Sequence, residues 1–138
     1  MPTQKAPSGR LLRYDGIMET SGILIVREPL ALEEVRELAS RWHGTLLKGV
    51  ADCRRGVIAL GGDWHMDAHA HLVLDGSSPE DVWGFNLYPD AEGEEALEYI
   101  SLINIRPRQG NHEMELKDPL LRELIRGLLQ KHIPSLGL

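Results

Sequence analysis

The chain has 138 residues, enough for one domain with a real core. Its 21 acidic and 15 basic side chains leave a net charge of −6, which speaks against nucleic acid or an anionic membrane surface as partner. A single cysteine, Cys53, excludes an internal disulfide, no apolar run approaches the ~20 residues of a membrane span, and the N-terminus lacks a signal-peptide layout. A cytoplasmic protein is the expectation.

Residues 1–21 read as an N-terminal tail or extension, rich in Pro, Ser and Gly at its start, and residues 22–138 as a single domain. Gly22–Arg27 is apolar, β-branched and closed by Pro29, so a strand is expected. Leu32, Val35, Leu38, Ala39 and Trp42 recur at helical spacing within a helix over Leu30–Trp42, with Ala31 as a weak cap and Gly44 as the stop. Leu46–Cys53 and Val57–Gly61 read as strands joined through Arg54-Arg55-Gly56.

Residues 64–74 alternate almost without error. Trp64, Met66, Ala68, Ala70, Leu72 and Leu74 fall on one side, and His65, Asp67, His69 and His71 on the other, which predicts a strand. Asp81–Tyr88 and Leu97–Arg106 complete the strands. Asp118, Pro119 and Pro134 bracket a final helix whose apolar face is Leu121, Leu124, Ile125, Leu128 and Ile133. Gly127 within it suggests close backbone packing. The expected fold is α+β, in the order β-α-β-β-β-β-β-α. It is a mainly antiparallel sheet of five to six strands, with two helices on one face. Its edge strands leave room for a homodimer.

Three groups of residues carry candidate chemistry. On a strand, His69 and His71 stand about 7 Å apart and can chelate one divalent metal, such as zinc, with Asp67. Further ligands would come from Asp63, His112 or Glu113. Asn86 and Tyr88 lie opposite the apolar Trp83, Phe85 and Leu87, so they can share a polar face with His65 and Asp67. Asn104 and Arg106, followed by a turn containing Asn111, offer a fork and turn amides to an anion; the blander reading pairs Arg106 with an acid and leaves Asn111 to shape the turn. There is no phosphate loop, dinucleotide fingerprint or nucleophile elbow. Cys53 beside Arg54 and Arg55 reads as an inert thiol rather than an activated one.

Several segments recur together in a known pattern. They are Ile-Val-Arg-Glu-Pro (25–29), Gly-Gly-Asp-Trp-His-Met-Asp (61–67), Asp-Val-Trp-Gly-Phe-Asn-Leu-Tyr-Pro (81–89), Ile-Asn-Ile-Arg-Pro-Arg-Gln-Gly-Asn (103–111) and Asp-Pro-Leu-Leu-Arg (118–122). Over about residues 22–133 the chain resembles a small prokaryotic family known only as domain-of-unknown-function family five-six-seven-four. The resemblance implies a short cytoplasmic protein and brings no activity with it. It matches His65, Asp67, Asn86, Tyr88, Asn104, Arg106 and Asn111, and has no counterpart of His69 and His71. Two functions stay open. One is a module that binds a small polar or anionic ligand, or a protein, on a polar sheet face. The other is a small metal-assisted hydrolase built on His65 and Asp67.

Overall fold

A computed structural model of the chain describes residues 22–138; the tail expected over 1–21 lies outside the described residues. Five strands form one antiparallel sheet: β1 (Leu24–Ile25), β2 (Leu47–Asp52), β3 (Val57–Leu60), β4 (Val82–Leu87) and β5 (Leu97–Glu98). Their spatial order is β1-β3-β2-β4-β5. The helices are α1 (Leu32–Ser40), α2 (His65–Leu74) and α3 (Pro119–His132).

Strand alternation divides the buried residues between the two faces of the sheet. Leu24, Leu47, Ala51, Ile58, Leu60, Trp83, Phe85 and Leu87 point to the first face, where α1 and α3 bury Val35, Leu38, Ile125 and Leu129. Ile25, Val50, Ala59 and Val82 point to the second, against Ala68 and Leu72 of α2. The α+β class, the antiparallel sheet and the helix pair on one face agree with the sequence pattern. The order does not, because it runs β-α-β-β-α-β-β-α and a third helix covers the second face.

The difference lies at residues 64–74, a helix where alternation predicts a strand. Ala, Leu and Met are strong helix formers, and Val73 is the one β-branched residue among them. The Asp67 carboxylate accepts the Trp64 N–H at 3.3 Å across the first turn. Asp75 ends the helix, and Gly76 follows at φ +115°, a conformation that favours glycine. Helical and strand periods coincide at Ala68 and Leu72, the two residues that reach the core. Trp64, Met66 and Leu74, expected on the same apolar face, are 66 %, 55 % and 87 % exposed.

The last helix has the expected caps: Asp118 accepts from Leu120 N–H at 2.8 Å and Pro119 is its first residue. Leu129 takes the buried place given to Leu124, which is 49 % exposed, and among the described residues nothing packs within 4 Å of a Cβ built on Gly127. At α1, Glu34 returns a bond to the Ala31 N–H at 2.9 Å, and the Gly44 N–H bonds Ala39 O at 2.9 Å just past the helix. In the β2–β3 hairpin, Asp52 accepts the N–H groups of Arg54 and Arg55 at 2.9 and 2.8 Å. The Cys53 thiol beside it is pushed up to about 12, first by burial and then by Asp52, so it stays protonated at neutral pH.

Candidate functional site

The strand expected over Leu97–Arg106 stops after Glu98, because side chains take over its backbone pairing. Asn104 is fully buried and binds Gly84 as a neighbouring strand would. Its Oδ1 accepts the Gly84 N–H at 2.8 Å, and its Nδ2 donates to Gly84 O at 3.0 Å. The Ser101 hydroxyl accepts the Ile103 N–H at 3.1 Å and turns the chain into a short helical turn, Leu102–Asn104. Gly84 admits this segment: a Cβ there would lie 2.6 Å from Ser101 Cβ.

The neighbouring polar residues are equally occupied. Asn111 Nδ2 donates to Asn104 O at 2.8 Å and Glu113 O at 2.9 Å, and its Oδ1 accepts the Lys117 N–H at 3.0 Å. Arg106 donates to the carbonyls of Ile103, Glu80 and Val82, and its guanidinium stacks 4.0 Å over Trp83. Asn111 therefore shapes the turn, as the blander reading had it. Arg106 engages backbone carbonyls rather than an acid, which leaves little of its fork for an outside anion.

His65 and Asn86 do meet, across helix and strand. Burial leaves His65 6 % exposed, and its Nε2 lies 2.8 Å from Phe85 O and 2.9 Å from Asn86 Oδ1. Asn86 Nδ2 donates to Ile100 O at 3.1 Å, which fixes its oxygen toward the imidazole. Two acceptors at Nε2 place the proton there, so the neutral ring keeps its Nδ1 lone pair. Desolvation is the main cause that lowers the His65 pKa, and the charge of Lys48 lowers it further. Tyr88 is linked to this pair through Glu98: it donates to Glu98 Oε1 at 2.9 Å, the oxygen that also accepts from Asn86 Nδ2 at 3.3 Å, and partial burial and then Glu98 raise its pKa.

Above the His65–Asn86 pair opens a groove of about 410 Å³. Its floor is polar, with His65, Asn86 and Ser101, and Lys48 stands at its side. Its walls are Trp64, Met66, Ile100, Leu102, Ile103 and Met114. Leu102 is 63 % exposed, so the walls are apolar surface left open to water. None of these wall residues, and not Lys48, stands out in the sequence as a site residue. A helical reading of 64–74 supplies the missing signal, because Trp64 and Met66 then fall off the buried Ala68–Leu72 stripe.

The metal reading loses its premise with the strand. Residues two apart on a helix point about 200° apart, so His69 and His71 diverge. His69 is half-buried against the Pro79 carbonyl, with its pKa lowered by desolvation and then by Arg106. His71 Nδ1 donates to Asp67 O at 3.0 Å, and the Asp67 carboxylate caps α2. Among the described residues, no three His, Cys, Asp or Glu side chains gather as a metal cage. No helix among them is long and apolar enough to cross a membrane.

A family model described as protein of unknown function, DUF5674, matches residues 24–132. No curated protein and no solved structure matches the chain.

Proposed function

The chain belongs to the DUF5674 family, and for it we propose a binding module that takes a small amphipathic ligand in the groove above His65 and Asn86. One observation carries the reading: Trp64, Met66, Leu102 and Met114 form exposed apolar walls around a buried, hydrogen-bonded polar floor. Small-ligand sites combine these features, a mostly apolar cleft of about 300–1,000 Å³ with a few convergent polar groups. The sheet supplies a fixed base, since β4 is buried along its whole length. This reading seats the ligand in a cleft between α2 and residues 100–114 rather than on the polar sheet face expected from the sequence.

A neutral fluorescent amine, N-phenyl-1-naphthylamine, tests the reading. Saturable binding to one site is expected, with a loss of at least about tenfold in affinity for the Trp64→Ser, Met66→Ser double variant. Circular dichroism should stay unchanged, because both side chains are exposed. No saturable binding, or equal binding by a folded double variant, would remove the groove as a site.

A further inference from the structure

We propose that the ligand is an amphipathic monoanion, with a carboxylate paired to Lys48 and a hydrocarbon chain along Trp64, Met66, Leu102 and Met114. The inference rests on the groove reading above and adds the charge and chemical class of its occupant.

Charge distribution is the first support. Acids outnumber bases over the whole chain, yet among the described residues no Asp or Glu lines this groove and one lysine does. Several other cations have carboxylate partners: Arg27 and Arg55 share Asp75, Arg36 pairs with Asp90, and Lys117 and Arg122 share Glu115. Among the described residues, no carboxylate lies within 4.0 Å of the Lys48 ammonium. A partly buried cation beside apolar walls, without its own counter-charge, is complementary to a ligand that is apolar with one negative end.

Register supplies the second support. Lys48 on β2 pairs with Asn86 on β4, so both side chains stand on the sheet face beneath His65. Lys48 is also close enough for its charge to act on the imidazole. The nearest carboxylate along the row, Glu98, is engaged by Tyr88 and by Asn86 Nδ2. The single cation matches a single charge. A phosphate dianion would call for a second cation or an Arg fork, and Arg106 is saturated by carbonyls.

Isothermal titration with decanoate and with 1-decanol, on the full chain below the micelle concentration, tests the inference. Decanoate should bind at least about tenfold tighter than decanol, as a charge-assisted bond implies. Lys48→Gln should bring decanoate down to the affinity of decanol, and Lys48→Arg should keep the preference. Equal binding of the two compounds to the wild type would overturn the anion while leaving the groove. A preference for decanoate that survives in Lys48→Gln would place the charge elsewhere and also overturn it. If neither compound binds and the naphthylamine does not bind either, the groove reading itself falls. Should Lys48→Gln fail to fold, Lys48→Met, checked by circular dichroism, takes its place.

Discussion

Two polar regions lie against β4, one along its free edge and one on the second face of the sheet, and they differ in what their hydrogen bonds leave over. In the cluster of Asn104, Arg106 and Asn111, donors and acceptors are turned inward onto backbone, standing in for a missing strand. Around His65, the floor is satisfied on one side only: Nε2 is bound, and Nδ1 and Lys48 are without protein partners among the described residues. Residue type does not separate a structural polar group from an available one. Saturation does, because a group already paired has little to gain from a ligand.

The largest effect is expected at Asn104→Ala. It strands the N–H and C=O of buried Gly84, and each lost partner costs roughly 1–3 kcal/mol, so a loss of about 2–5 kcal/mol is expected in urea unfolding. A loss below about 1 kcal/mol would break the contrast between the two regions. Gly84→Ala comes next, at about 1–3 kcal/mol. Its methyl group would press on Ser101 and come 3.2 Å from His65 Cδ2, so it joins the two regions. Weaker binding of the naphthylamine in the folded variant would show that the loop sets the groove.

Much of this arrangement is legible in the sequence. Alternation along β4 separates Trp83, Phe85 and Leu87 from Asn86, and Asp118-Pro119 marks the start of α3. The pairing of His65 with Asn86 is legible too, although through the wrong element. Alternation at 64–74 misleads because a ten-residue helix that buries only two apolar side chains, Ala68 and Leu72, imposes no helical pattern on its exposed residues. Asn104 in place of a strand is invisible locally, since the bond reaches 20 residues back to Gly84. Lys48 looks like any surface lysine until β2 and β4 are paired.

A smaller effect is expected from pH. Burial first, then Lys48, hold the His65 pKa below its ordinary 6.5, so the unfolded chain binds the proton more readily than the folded one. Stability is then full above about pH 6.5 and falls as the pH drops below it. His69 and His132 are lowered as well and add the same sign. Melting temperatures recorded between about pH 7 and 5 should fall for the wild type and fall less steeply for His65→Gln. Equal slopes would mean that His65 takes up its proton without opposing folding. The smallest effect on stability belongs to Trp64→Ser, within about 0.5 kcal/mol, because the side chain is exposed. Its cost should appear in ligand affinity instead.

A nuclear magnetic resonance titration with decanoate compares the two regions in one experiment. The account predicts saturable shifts at the Trp64 indole, the Met66 and Met114 methyl groups and Lys48, with the Asn104 and Asn111 side-chain amides nearly still. Shifts centred on Asn104, Arg106 and Asn111, with the Trp64 indole unmoved, would contradict it.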